Sequence, residues 1–218
     1  LGYIARKHPN IIKKIYNQGH EIGAHSDMHN VAYRQNQKEF EEDIVSCKQS
    51  IEDIIGEKVI SYRAPGFSIR KENVWVFEIL NKLKIEYDAS IFPALREDGG
   101  FVSFNQSGPS ILDYKGCQIK EFPMSMNNLF GARFTATGGG YFRFFPYRMI
   151  YHFVKKSNYT MTYFHPRDFD PNQPILEGIS IKRRFKSYYN LSGAFLKLQK
   201  LIRDFDFIDI RTASSQID

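Results

Sequence analysis

Short apolar runs alternate along this chain with longer segments in which apolar residues return every three or four positions. That alternation predicts β-strands separated by helices. Ile11, Ile12 and Ile15 share one face behind Pro9, which suits a first helical turn, and Gly19 supplies a stop. Residues 21–24 read as a short buried strand. Phe40, Ile44, Cys47, Ile51, Ile54 and Ile55 are spaced by threes, fours and sevens. They predict a helix over 37–55, with Asn36 as its cap and Gly56 as its end. Residues 59–62 form the second predicted strand. A helix over 71–83 follows, behind Ser68 and with Val74, Phe77, Leu80 and Leu83 inside, and then a strand over 86–89. Glycine and proline punctuate 92–110, which reads as a long excursion. Beyond it lie a strand over 117–123, an irregular stretch over 127–140, a helix over 146–156 and a strand over 159–164. A proline-marked loop, an amphipathic helix over 188–203 and a strand over 205–210 complete the order. No repeat, low-complexity tract or linker interrupts it, which predicts one domain over 1–218.

Helices between strands imply parallel pairing. Four predicted strands end at residues with chemistry: His25, Arg63, Asp88 and His165. In a parallel barrel the strand ends of one rim face a common mouth. The stretch GHEIGAHSDMH spans 19–29. If the chain turns into helix after its strand, His25 and His29 lie on one face and both imidazoles reach one ion. Two imidazoles suit Zn²⁺ and similar ions, but a catalytic zinc takes three protein ligands plus water. A carboxylate is therefore required from elsewhere, because Asp27 points off the histidine face. A histidine at position 165 is suited to protonating a leaving group, with Asp168 or Asp170 to orient it. Arg63, in a turn stiffened by Pro65, is suited to gripping a carboxylate through two contacts. Asp88 is its natural partner, and Ser90 shapes the same turn. Gly138, Gly139 and Gly140 with Tyr141, Phe142 and Arg143 have two readings. One is a loop pressed against a ligand, with aromatic faces for sugar rings; the other is a tight turn ahead of a helix. No Lys-Ser/Thr pair follows, so it is not a phosphate loop.

Composition narrows the class. The 218 residues are 42% apolar and 25% charged, which is ordinary globular usage and argues against disorder. Aromatic residues reach 15%, enough to fill a core or line a sugar groove. The net charge is +6 and the pI about 9.2. The cluster Lys182, Arg183, Arg184 and Lys186 reads as a solvated loop. No nucleic-acid motif accompanies it, so no nucleic-acid partner is expected. Cys47 and Cys117 form no disulfide framework and fit a reducing compartment. No apolar run approaches the ~20 residues of a spanning helix. Leu1 stands where a methionine would begin a chain, and the first residues read as the middle of a fold, so the expectation is a truncated N-terminus.

These residues also carry a family resemblance. GHEIGAHSDMH resembles the second motif of the polysaccharide deacetylases, the NodB-homology carbohydrate esterases. Arg63-Ala64-Pro65-Gly66-Phe67 resembles their third, Tyr87 to Pro93 (YDASIFP) their fourth, and Tyr163-Phe164-His165-Pro166 their fifth. YRQ at 33–35, EFP at 121–123 and GGGYFR at 138–143 are similar to the exosortase-associated subgroup, which accompanies exopolysaccharide gene clusters. The resemblance implies an α/β fold, a distorted (β/α) barrel of about seven strands with the first missing from this chain. It implies metal-dependent N-deacetylation of N-acetylated poly- or oligosaccharides, with release of acetate. His25 and His29 are then metal ligands, most simply for Zn²⁺, and an Asp upstream of Leu1 is the expected third. Ser26, Asp88 and Ser90 support the motif loops, Arg63 orients the catalytic base and His165 is the general acid. Pro65, Phe67, Gly140, Tyr141 and Arg143 are expected at the substrate. The first motif, an Asp-rich strand end supplying base and third ligand, is absent, so these residues alone are expected to be inactive. Arg167-Asp168 also replaces the subgroup's Trp-Glu. Two alternatives stay open: a carbohydrate-binding pseudoenzyme, or a small-molecule amide hydrolase of the same fold. The subgroup's habit implies a cytoplasmic location.

Overall fold

The computed structural model describes residues 1–96 and 99–217, apart from the Lys182 side chain. Contacts divide the chain into two units, one formed by residues 1–124 with the C-terminal segment from Asp209, the other by 125–208.

The first unit opens with α1 (Gly2–Lys7) and α2 (Pro9–Asn17). The helix α1 carries too few apolar repeats to be read from the sequence. Its small residues Gly2 and Ala5 are buried, which lets its backbone lie close to α3 (Gln37–Ile55). The predicted and observed bounds of α3 coincide, because both ends are chemically marked. Asn36 and Glu39 form a reciprocal capping box at one end, and Gly56 takes the left-handed conformation (φ 75°) at the other. Phe40, Ile44, Cys47 and Ile51 form its buried stripe. They pack with Tyr62, Phe77, Leu80, Ile85 and Ile119 in the unit's core.

One sheet organises this unit, in the order β1 (Ser61–Tyr62), β2 (Tyr87–Asp88), β4 (Cys117–Glu121), β3 (Ser110–Tyr114). The β1–β2 and β2–β4 pairs are parallel, and β3–β4 is an antiparallel hairpin. The run expected as a strand over 21–24 is reduced to a parallel bridge between Ala24 and Tyr62. The helix expected over 71–83 is divided into a 3₁₀ turn, Lys71–Asn73, and α4 (Val76–Lys82). The strand β3 emerges at the end of the supposed excursion, two of whose residues, 97 and 98, lie outside the described set. The α/β class and its parallel steps with intervening helices are thus present, in the unit that a (β/α) barrel repeats.

The second unit holds the hairpin β5 (Asn127–Leu129)–β6 (Ala132–Phe134) and four helices. These are α5 (Gly139–Phe144), α6 (Tyr147–Lys155), α7 (Ile181–Tyr188) and α8 (Leu191–Asp204). Phe134, Ala136, Phe142, Phe145, Ile150, Val154 and Leu201 form its core. Three expectations change here. The strand over 159–164 is a single bridge, Gly138 to Tyr163. The basic cluster lies in α7 rather than a loop, and the helix expected over 188–203 is interrupted by Asn190 at φ 50°. In the first unit's returning segment, the last predicted strand is replaced by helix α9 (Ile210–Ser214), capped by Asp209. Among the described residues no helix is long and apolar enough to cross a membrane.

Candidate functional site

The parallel register decides which side chains share an edge. Ala24 pairs with Tyr62, Tyr62 with Asp88, and Asp88 with Glu121. The residues that follow each pairing, His25, Arg63, Ala89 and Phe122, therefore leave the sheet side by side. This is the rim where parallel α/β folds collect chemistry.

The turn holding the histidine pair is not the helix expected from its spacing. The chain bends at Asp27 and Met28, and Ser26 (φ 69°) and His29 (φ 65°) adopt left-handed backbone. Side chains from α3 hold this geometry. Ser26 is buried; its hydroxyl donates to Asp43 Oδ1 (3.1 Å) and accepts from Asn30 N (2.9 Å). Asp27 N donates to the same Asp43 oxygen (3.2 Å). The Asp27 carboxylate is gripped by Arg6 at 2.6 and 2.8 Å, so it is committed away from the histidines. The two imidazole centroids lie 5.2 Å apart at 77°.

His25 Nδ1 lies 2.6 Å from the Arg63 carbonyl oxygen. A carbonyl only accepts, so Nδ1 carries the hydrogen and Nε2 presents a lone pair. Burial pushes the imidazole down to about 4, so the ring is neutral at pH 7. A neutral ring oriented through its far nitrogen is the usual form of a metal-bound histidine. The donor chemistry thus fits part of a zinc-type site. Among the described residues no group of three His, Cys, Asp or Glu is arranged to hold a metal.

Arg63 lies in a stiff, internally bonded turn. Pro65 is buried, Gly66 and Phe67 take positive φ (64° and 55°), and the guanidinium stands 5.7 Å from the Phe67 ring. Arg63 Nε donates to Ala89 O (3.0 Å), and Ala64 N donates to Ser90 Oγ (2.7 Å). Ser90 in turn donates its hydroxyl to Asp88 Oδ1 (2.5 Å) and its N–H to Oδ2 (3.2 Å). Burial raises the Asp88 pKa, and the hydrogen bonds from Glu121 and Ser90 and the charge of Arg63 oppose that rise.

Glu121 is the residue that sequence reasoning left without a role. It is fully buried, and Oε1 accepts from Ile91 N (3.0 Å). Oε2 meets no donor, and the carboxyl interacts with that of Asp88. Burial and the Asp88 charge both push the Glu121 carboxyl well up, so it keeps its proton and donates it to Asp88. The signal was present in the sequence: an acid at the end of a predicted strand, like Asp88.

The remaining predicted residues belong to the second unit. His165 is half-exposed, and its N–H donates to Asp168 Oδ2 (2.9 Å), with Nδ1 3.5 Å from the same oxygen. Asp168 is buried and receives Arg143 at 3.4 Å. Burial raises its pKa, but the hydrogen bonds from His165 and the Arg143 charge outweigh that and hold it below the usual value. Arg143 was expected at the substrate. The structure instead buries it to 3% exposure, donating to the carbonyls of Lys186, Ser187 and Tyr189. Its guanidinium is engaged by the fold, and this inward turn follows from its place in α5 beside Phe142. Tyr141 is exposed and stacks on Phe145 (6.1 Å, 14°). The triple glycine starts α5 rather than a loop. A Cβ on Gly138 would come within 2.8 Å of the Tyr163 carbonyl oxygen, so the close approach to Tyr163 requires glycine there, and Gly140 follows in the helix.

The family model described as "Domain of unknown function (DUF3473)" matches residues 89–215, and the model "Polysaccharide deacetylase" matches residues 1–87. The chain belongs to the DUF3473 family and carries polysaccharide deacetylase sequence ahead of it. No curated protein matches it. A putative polysaccharide deacetylase from Mycobacterium smegmatis is similar at 23% identity over 57% of this chain and 38% of its own, with a TM-score of 0.47. A family 4 carbohydrate esterase from Streptomyces lividans matches at 17% identity over 40% and 44%, TM-score 0.36. A family 4 pseudoenzyme from Bacillus anthracis matches at 22% over 40% and 30%, TM-score 0.37. The matched part is less than half the length of each of these relatives.

Proposed function

We propose that this protein hydrolyses the N-acetyl group of an N-acetylated poly- or oligosaccharide, with a divalent metal, most simply Zn²⁺. The observation that carries this reading is the His25 ring, neutral and tied through Nδ1 to the Arg63 carbonyl, beside His29 at a parallel strand edge in deacetylase-type sequence. His25 and His29 would hold the ion, and a carboxylate from outside the described residues would complete its ligands. A bound metal there supplies Lewis acidity toward the amide carbonyl and lowers the pKa of its water. Arg63 orients the carboxylate that takes the water's proton. His165, aligned by Asp168, delivers a proton to the departing amine. Pro65, Phe67, Gly140 and Tyr141 belong to the proposed sugar contacts. A cytoplasmic, exopolysaccharide-related setting belongs to the same proposal.

The second reading is a sugar-binding pseudoenzyme of the same fold. Acetate release from N-acetylglucosamine oligomers by the full-length protein, with Zn²⁺ supplied, decides between them. The expected result is turnover that falls at least ~100-fold in His25→Ala, the scale of losing a metal ligand or its orientation. No acetate from the wild-type protein, or equal turnover by the variant, overturns the deacetylase reading.

A further inference from the structure

The helix α6 and its C-cap residue present Arg148, His152 and Lys156 at successive four-residue steps, so all three lie along one face. Arg148 and Lys156 bring two cations to that face. Among the described residues the three side chains enter no hydrogen bond or ion pair. They line a groove of about 750 Å³ whose other walls include Asn127 and Asn128 of β5 and the half-buried Met149 and Phe153. No acidic residue contributes to it.

The amides in this groove have fixed orientations. Asn127 Oδ1 accepts from Ala136 N (3.0 Å), and Asn128 Oδ1 accepts from Gly131 N (3.0 Å). Both acceptor oxygens are therefore engaged, and the NH₂ groups are left to donate. Ser157, also on the wall, is engaged with Tyr159, donating to its carbonyl and accepting from its N–H. The remaining side-chain groups are a guanidinium and an ammonium, which only donate, two amide NH₂ groups, and an imidazole with one donor and one acceptor nitrogen: a lining rich in donors. Its natural complement is a ligand rich in acceptors and negative charge. The floor is apolar, and Phe153 is held rigid by edge-to-face contacts with Phe134 (5.4 Å) and Phe145 (6.0 Å). Apolar patches beside hydrogen-bond donors suit the faces and edges of sugar rings, and the volume is that of a small-molecule site.

We propose that this groove binds a carboxylate-bearing saccharide, with Arg148 and Lys156 on its carboxylates and the Asn127 and Asn128 amides on its ring oxygens. The choice of a sugar as carrier rests on the polysaccharide reading above; the choice of an anion rests on the Arg148 and Lys156 cations in a lining without acidic residues. Calorimetry on the 218-residue chain tests it with a short oligogalacturonate, the same oligomer with its carboxyls reduced to neutral alcohols, and a single-stranded oligonucleotide. The acidic sugar is expected to bind at least about tenfold more tightly than the neutral one, the scale of a hydrogen bond to a charged group. The double variant Arg148→Gln/Lys156→Gln is expected to abolish that preference with unchanged circular dichroism. Lys155→Gln, one step off this face, is expected to bind as the wild type does. His25→Ala is expected to retain the acidic sugar, which separates this groove from the deacetylase site. Sugar binding without acetate release leaves the groove standing and removes only the activity. Equal binding of acidic and neutral oligomers, an undiminished double variant, or an oligonucleotide that binds as tightly as the acidic sugar overturns the proposal.

Discussion

Both units bury ionisable groups, and they stabilise them by different means. The first unit encloses two acids, Asp88 and Glu121, both fully buried. Neither unit can leave a bare charge in its interior, because desolvation costs several kcal/mol per ion. The first unit answers with a proton: Glu121 stays neutral and donates to Asp88, and Ser90 and the Arg63 charge attend to the remaining anion. The second unit pairs the buried Arg143 with the Asp168 anion and answers it, and the half-buried Lys197, with backbone carbonyls. Arg143 donates to three carbonyls at 2.8 to 3.3 Å, and only its Nε is left without a partner. Lys197 donates to the carbonyls of Phe142, Arg143 and Phe145 (3.3, 2.7 and 2.7 Å), which are the unanswered acceptors at the end of α5. The contrast has a chemical basis. Carboxyls lose their charge near physiological pH when buried, whereas guanidinium does not. A buried acid pair can therefore respond to pH, while a buried arginine is a permanent strut.

Three substitutions can break or sharpen that contrast. The largest effect is expected from Arg143→Met, which strands Asp168 and three carbonyls at once. Removing one partner of a buried ion pair costs about 3–5 kcal/mol, readable as a lower midpoint in urea unfolding. A loss below about 1 kcal/mol would show that the strut is dispensable. Lys197→Met should follow at about 1–3 kcal/mol, because the α5 carbonyls lose their donor while the methionine preserves the side chain's packing. Glu121→Gln is expected to cost least, under about 1 kcal/mol near pH 4, since the amide can still donate to Asp88 and accept from Ile91 N. Its signature is the pH dependence. The Glu121 carboxyl is raised in the folded state above its ordinary 4.5. Its contribution is therefore complete below 4.5 and is lost as pH rises toward the raised value. Wild-type stability should fall across that range relative to Glu121→Gln. Parallel pH profiles for the two proteins would show that Glu121 is ionised in the fold.

Legibility in the sequence followed the range of the forces involved. Helix α3 was readable to both ends because its stripe, its Asn36–Glu39 box and its Gly56 stop all lie within the segment. The rim residues His25, Arg63 and Asp88 were readable as ends of short apolar runs, and parallel pairing places their segments side by side. The strands themselves were overread. Residues 21–24 and 159–164 contribute one bridge each, because apolar runs report burial and not ladder pairing. The basic segment over 182–186 was read as a loop, although Ser180 caps it into a helix by accepting from Arg183 N. The groove on α6 was present in the sequence as Arg148, His152 and Lys156, but its wealth of donors depends on which Asn oxygens are already engaged.

What the sequence determined alone was the α/β class, the family motifs and the pairing of His25 with His29. Each is carried by residues close together in the chain or by their spacing. Only the tertiary structure decided how that pair is held: Asp43 fixes the turn and the Arg63 carbonyl sets the tautomer of His25. It alone decided that Arg143 turns inward and that Glu121 keeps its proton. The physical reason is common to all three. Protonation and orientation are set by desolvation and by partners far away in sequence, and neither is written into the local pattern of residues.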